Sequence, residues 1–243
     1  MSEFKFPTEE VDLPSGGLLY PKDNPLSSGK VEIKYMTAKE EDILTNQSYI
    51  QKGVVLDKVL ESVIIDKSIK LKDLLIGDKN AILIATRILG YGKKYQITYN
   101  GEALDIDLTE LENKPFDSSM LIEGKNELAY TLPHSNTKVT YKLLNGHDEA
   151  KIEAELKGLK KIQKDHVPEL TTRLKHIITS VNGNEDSKSI REFIDGYMLA
   201  RDSRSFREHL KTTQPDVDMN IILDTGEEVE VPLGLNFFWP DSQ

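Results

Sequence analysis

Pro14, Gly16, Gly17, Pro21, Pro25 and Gly29 crowd residues 11–29, a density of backbone breakers that no regular helix survives. The same stretch carries Leu13, Leu18, Leu19, Tyr20 and Leu26, which is too apolar for a solvated tail. It is therefore expected to be an ordered extended arm laid against something. Leu18, Leu19 and Tyr20 are its candidate partner-binding side chains, and a chain lacking residues 1–29 is expected to stay folded. Beyond the arm, Val31 to Tyr35 alternates apolar and polar at period two, a strand with one wet face. Thr37-Ala38-Lys39-Glu40 then reads as a capping box that starts a helix at about Ala38.

Helical spacing returns in Val54, Val55, Val59, Leu60, Val63 and Ile64, the stripe of an amphipathic helix over 54–65. Residues 81–89 are apolar nearly all round, which marks the most buried helix, with Asp78 to Asn80 as its cap and Gly90 and Gly92 as its stop. From Tyr95 the period changes to two. Asn100-Gly101 tolerates the positive φ angles of a tight primed turn, so 96–108 reads as a hairpin with Leu104, Ile106 and Leu108 on one face. Strands are expected at 127–132 and 138–144, then helices at 147–164, 168–180, 189–199 and 203–211. Pro168 suits a first helical turn, and Ser189 with Glu192 and Ser205 with Glu208 have capping-box spacing.

The segment 219–233 can be laid on 96–108 as strand, glycine turn and alternating strand. Two readings stand: convergence of any tight hairpin with one buried face, or two hairpins packed in one β unit. The fold class is α+β: an N-terminal arm and helices, a small mixed β layer built from hairpins, and a helical insertion before a C-terminal hairpin that returns to the β layer. The segments are 1–35, 36–92, 93–145, 146–213 and 214–243.

At 243 residues and 38% hydrophobic the chain can bury a sizeable core, and its net charge of −10 argues against neutralising nucleic-acid phosphates. No run approaches the ~20 apolar residues that span a bilayer, and the acidic MSEFKFPTEE is unlike a signal peptide. Without cysteine there is no disulfide, thiol nucleophile or thiolate metal site.

Chemistry-bearing motifs are sparse. His147-Asp148 is similar to the metal-binding pair of a phosphohydrolase family, but Asp148 and Glu149 also suit the first turn of a helix. His166 and His176 straddle Pro168 and are not an i, i+4 zinc pair, while His134 reads as a loop residue and His209 as a helix-surface one. Phosphate-loop and nucleophile-elbow patterns are absent, and Gly90-Tyr91-Gly92-Lys93-Lys94 reads as a helix stop. No catalytic residue, cofactor or metal is expected. Two surface features remain. Phe237-Phe238-Trp239-Pro240 either closes the core or exposes an anchor for a partner, with Phe238 and Trp239 as the anchor residues. Arg191, Arg201, Arg204 and Arg207 line the last two helices, either as a solvated face or as a docking face for an acidic partner or a neighbouring copy, with Arg204 and Arg207 at its centre.

Three stretches, LPSGGLLYPKDNPLSSGKVEIKYMTAKEEDIL, QKGVVLDKVLESVI and VPLGLNFFWP, together resemble a family of T-even-like tailed phages, the baseplate hub and hub-assembly proteins. The resemblance covers the two ends of the chain, while the middle follows the family only in its order of elements. It implies a structural or assembly protein of a contractile tail, working through contacts with other hub or tail proteins or in a homo-oligomer; the charge and the lack of a long apolar run leave no nucleic acid or membrane among the expected partners. Its place would be the virion baseplate, assembled in the host cytoplasm. Two alternatives stand beside it: an assembly chaperone that does not stay in the particle, and a soluble metal-dependent hydrolase built on His147 and Asp148.

Overall fold

Segments of helical period alternate with segments of period two, and the result is a mixed α+β fold. The computed structural model describes residues 7–118, 121–162, 167–223 and 226–238. Among them, β1 (Thr8–Asp12) pairs antiparallel with β2 (Lys30–Lys34), and α1 (Ala38–Leu44), α2 (Gln47–Lys52), α3 (Val55–Val63) and α4 (Ile76–Tyr91) follow. β3 (Lys94–Tyr99) and β4 (Glu102–Asp107) form a hairpin. β5 (Leu128–Thr131), β6 (Lys138–Tyr141) and β7 (Ile178–Val181) form a three-stranded antiparallel sheet in that order, with α5 (Gly146–Ile162) and α6 (Glu169–Ile177) inserted before β7. The chain continues through α7 (Ser187–Gly196), α8 (Ala200–Thr213) and a last hairpin, β8 (Asn220–Ile222) with β9 (Glu228–Glu230).

Several local devices act as their residue types require. Asn100 and Gly101 take φ of 52° and 85°, the turn that sets Tyr95 opposite Ile106 with both side chains buried. Glu40 reaches back to the Thr37 amide at 2.8 Å, completing the cap of α1. That carboxylate is fully buried and also accepts from Lys34 Nζ at 2.8 Å and Ser62 Oγ at 2.5 Å, so it ties β2, α1 and the end of α3 together. Burial alone would raise its pKa; the donors from Lys34, Ser62 and Thr37 outweigh burial and hold it down at about 2.

Other expectations give way to tertiary pairing. The helix expected over 168–180 ends at Ile177, because Ile178 to Val181 joins the edge of β6 with Thr140 opposite Ser180. Asn182 and Gly183, at φ of 49° and 80°, turn the chain there, and the Asn182 side chain accepts from the Lys138 amide at 3.0 Å. α7 starts before Ser189: Asp186 is the cap and accepts from the Ser189 amide at 2.8 Å. Ser205 lies inside α8, whose flanking residue is Leu199. α4 begins at Ile76, ahead of the expected cap at Asp78 to Asn80, because remote segments satisfy its first turn.

The arm is one of those segments. Val11, Leu13, Leu19, Tyr20 and Leu26 are all buried. Asp78, in the first turn of α4, accepts from the Ser15 amide at 2.9 Å, the Ser15 hydroxyl at 2.7 Å and the Tyr20 hydroxyl at 2.5 Å. The Tyr20 oxygen in turn accepts from the Leu75 amide at 2.9 Å. Burial pushes the Asp78 pKa up against these donors, and it raises that of Tyr20 as well. Gly17, at φ of 77°, brings the backbones so close that a Cβ there would sit 2.6 Å from Gly29 N.

These contacts correct the reading of the arm as a wrapping element. Leu19 and Tyr20 are core residues of their own chain, and of the three candidates only Leu18 is partly exposed. Deleting residues 1–29 is therefore expected to abolish cooperative thermal unfolding by circular dichroism. The milder Asp78→Ala should lower unfolding free energy by roughly 3 kcal/mol, because it strands the Tyr20 and Ser15 donors in the interior.

The other end of α4 holds the C-terminal segment. Arg87 is fully buried and donates to the carbonyls of Phe237 at 2.9 Å, Gly92 at 2.9 Å and Lys94 at 3.3 Å. Its guanidinium lies 5.2 Å from the Tyr91 ring centre and 5.8 Å from that of Tyr95. Phe237 and Phe238 are fully buried, and Phe237 meets Tyr95 edge-on with ring centres 5.0 Å apart. Phe238 is thus core closure and is removed from the partner-binding set, while Trp239 lies outside the described residues. β8 and β9 form a two-stranded sheet of their own, separate from β3 and β4. The stretch before it runs beside the chain after β4, with Lys114 donating to the Asp216 carbonyl at 2.8 Å and Asp218 to that of Glu112 at 2.7 Å. Phe237→Ala should cost about 3–5 kcal/mol in chemical denaturation, with an unchanged slope against denaturant.

Candidate interaction surface

α8 owes its orientation to one face. Asp202, Phe206, His209, Leu210 and Thr213 fall within an arc of about 100° on a helix that turns 100° per residue. Asp202 accepts from the amides of His134 at 2.8 Å and Ser135 at 3.0 Å, fixing the turn between β5 and β6. Burial works against the charge on Asp202, but these amides prevail and lower its pKa. Phe206 is fully buried, with its ring centre 5.3 Å from that of Tyr141 and 5.8 Å from that of Tyr130. His209, expected on the helix surface, is instead half-buried, stacked on Tyr130 at 4.1 Å and hydrogen-bonded to the Tyr141 hydroxyl at 2.9 Å.

With that face fixed, Arg201, Arg204, Arg207 and Lys211 share an arc of about 120° on the other side, and all four are exposed. Arg204 pairs with Glu208 at 2.9 Å, an exposed i, i+4 bridge of a kind worth ~0.5 kcal/mol or less. Arg207 donates to the Ser203 carbonyl at 3.3 Å. Arg191 is different. It forks onto Glu155 at 2.7 and 2.9 Å beside His176, tying α7 to α5, and this pairing holds Glu155 at about 2.

At the head of α8 the chain turns a corner in three residues, 197–199. The Phe193 carbonyl accepts from the amides of Tyr197 and Met198, both at 2.8 Å, and closes α7. Tyr197 and Leu199 are left 67% and 49% exposed, large apolar groups standing next to Arg201.

A groove of about 650 Å³ opens elsewhere, between the α2–α3 junction and the start of α4 on one side and α5 and α6 on the other. Val54, Leu56, Leu71, Ile76, Ile152 and Leu156 make its apolar lining. Glu149, Glu153 and Glu169 stand on the α5–α6 wall with Arg173, which pairs with Glu149 at 2.8 Å. Lys52, Lys72 and Lys79 stand on the opposite wall, where Lys79 is bonded to Asp57. Its residues come from four separate stretches, 52–57, 71–79, 146–156 and 169–173, so no local pattern announces it.

The hydrolase alternative needs His147 and Asp148 to converge, and they diverge. His147 Nε2 meets Asp73 at 3.0 Å, while Asp148 takes Lys142 Nζ at 2.6 Å. Among the described residues no group of three His, Asp or Glu side chains is placed to hold a metal ion. His166 lies outside the described residues, and no described helix is long and apolar enough to cross a membrane. No family model, curated protein or solved structure matches the chain.

His209 makes the anchoring of α8 pH-sensitive. Burial against Tyr130 and Tyr141 pushes its pKa down. Above the ordinary histidine value of ~6.5 the ring is neutral in both states and the contribution is intact. Below it the unfolded chain takes up a proton that the folded one resists, so stability falls as pH drops. Between pH 7 and 5 the wild type should lose more stability than His209→Gln, measured by urea unfolding at each pH.

Proposed function

We propose that this chain is a structural or assembly protein of the baseplate hub of a contractile phage tail, acting through protein–protein contacts. The reading rests on the resemblance of its two ends to that family. One structural observation supports it: α8 is pinned along one face by Asp202, Phe206 and His209 and carries Arg201, Arg204, Arg207 and Lys211 on the other. A helix whose inner face is so fully engaged presents its outer face rigidly, as a docking surface requires. Arg204 and Arg207 keep their place as partner-binding candidates, and Leu18 stays as a minor one.

Quantitative mass spectrometry of purified particles beside infected-cell lysate tests the proposal. A permanent subunit is expected in the particle at a fixed ratio to other baseplate proteins. An assembly factor is expected only on intermediates from the lysate. Absence from both would overturn the reading. Arg204→Glu with Arg207→Glu should change thermal stability by no more than about 0.5 kcal/mol while lowering recovery with tail intermediates several-fold.

A further inference from the structure

Asparagine is a chemically labile residue, and most so before glycine, where no Cβ hinders attack of the following amide nitrogen on the side chain. The chain holds three such dipeptides, Asn100-Gly101, Asn145-Gly146 and Asn182-Gly183. Their sequences rank them alike, and the fold separates them.

Asn145 is held on both sides of the reacting bond. Its side-chain oxygen accepts from the amides of His147 at 3.0 Å and Asp148 at 3.1 Å at the head of α5, and the Gly146 amide donates to the Leu74 carbonyl at 3.3 Å. Gly146 is also closely packed, since a Cβ there would sit 2.8 Å from Lys72 Cα. Asn182 is clamped to one residue: its side-chain oxygen accepts from the Lys138 amide at 3.0 Å, and its own amide donates to the Lys138 carbonyl at 2.7 Å. Val181 and Asn184 close the loop around Gly183 with two further backbone bonds, at 3.0 and 2.9 Å. Asn100 has none of this. It is exposed at the tip of the β3–β4 hairpin, and among the described residues neither its side-chain amide nor the Gly101 N–H has a hydrogen-bond partner. A Cβ at Gly101 would meet nothing within 4 Å beyond its chain neighbours. Opening this tip therefore sacrifices no buried contact.

We propose that Asn100 is a site of spontaneous covalent modification, deamidating to aspartate and isoaspartate, and that the fold protects Asn145 and Asn182. The Gly101 nitrogen bonds to Asn100 Cγ and gives up its proton. The side-chain nitrogen takes a proton and leaves as ammonia, which closes a five-membered succinimide. Water then opens the ring. Cleavage at Cγ restores the main chain with aspartate, whereas cleavage at the Asn100 carbonyl carbon leaves the main chain running through Cγ, one methylene longer. Water enters, ammonia departs and nothing is oxidised or reduced. Either product places a new carboxylate beside exposed Glu102, and the longer one alters the turn that sets Tyr95 opposite Ile106. The reaction needs only water, so it stands apart from the reading of the chain as a hub protein.

The test incubates the full chain in warm, mildly alkaline buffer, with a parallel sample in guanidinium chloride that reports the three dipeptides without the fold. Peptide mapping by mass spectrometry follows each site, and methyl transfer from S-adenosylmethionine by an isoaspartyl methyltransferase counts the isoaspartate. In the folded chain Asn100 should convert about tenfold faster than Asn145 or Asn182, while in denaturant the three rates should draw together. Asn100→Gly keeps a residue suited to positive φ and removes the reacting amide, so the first acidic species seen on anion exchange should disappear. An Asn100 that stays intact in the folded chain while it converts in denaturant overturns the proposal. So does a folded chain in which Asn145 or Asn182 reacts as fast, or an early acidic species that persists in Asn100→Gly.

Discussion

Two buried charged groups sit near the ends of α4, and the arm and the C-terminal segment are fixed to the helix through them. Asp78 at the amino end and Arg87 near the carboxyl end are both fully buried, and neither is neutralised by a simple ion pair. Asp78 is held by two hydroxyls and an amide from the arm. Arg87 is held by three carbonyl oxygens and two aromatic faces. A charge in such a place is tolerated only when its hydrogen-bonding capacity is met, so each group dictates where its partners must lie. The apolar surface of α4 provides the driving force for burial, and these polar contacts select one arrangement of arm, hairpin and terminus around it. Gly77 shows how tight the arrangement is: a Cβ there would sit 2.0 Å from the Pro215 carbonyl oxygen.

Sequence patterns were most informative where a feature is self-contained within a few residues. The Asn100-Gly101 turn, the Thr37 to Glu40 cap and the apolar run of α4 all depend on neighbours in the chain. Ile178 to Val181 fits either period, and pairing with β6 decides for the strand β7 over a longer α6. A signal was present even so: Asn182-Gly183 repeats the dipeptide that announced the first hairpin. α2 carries local signals of the same kind, with Asn46 as its cap and Gly53 as its left-handed stop. The arm departs from its local pattern for a different reason. Its leucines and tyrosine required a surface to cover, and nothing local could reveal that Asp78, 63 residues away from Ser15, supplies it.

Of the candidate site, Arg204 and Arg207 were legible as charges on a helix, whereas Leu19, Tyr20 and Phe238 proved to serve the core. The groove could not be read at all, since concavity is a property of packing. The division that results is clear in physical terms. Aromatic and charged groups of the interior, Tyr20, Arg87, Tyr95 and Phe237, fix the frame. Those left outside, Tyr197 and the arginines of α8, are the groups free to meet another molecule, and they are held on rigid helix ends where presenting them costs little further entropy.

The span of the Arg87 contact bears on how the chain reaches this structure. Its acceptor at Phe237 lies 150 residues further along, and Asn80 reaches 136 residues to Asp216. At ribosomal speeds of about 5–20 residues per second, roughly 7 to 30 seconds separate the synthesis of α4 from that of the segment that closes over it. During that interval the apolar surface of a nascent α4 is incompletely covered, and the Arg87 guanidinium is still open to water in place of the Phe237 carbonyl. Contacts this distant also carry a loop-closure cost that is met before the interaction rewards it. The nascent chain therefore passes through an open form in which the arm can already be docked on Asp78 while the far end of the same helix still waits for its lid.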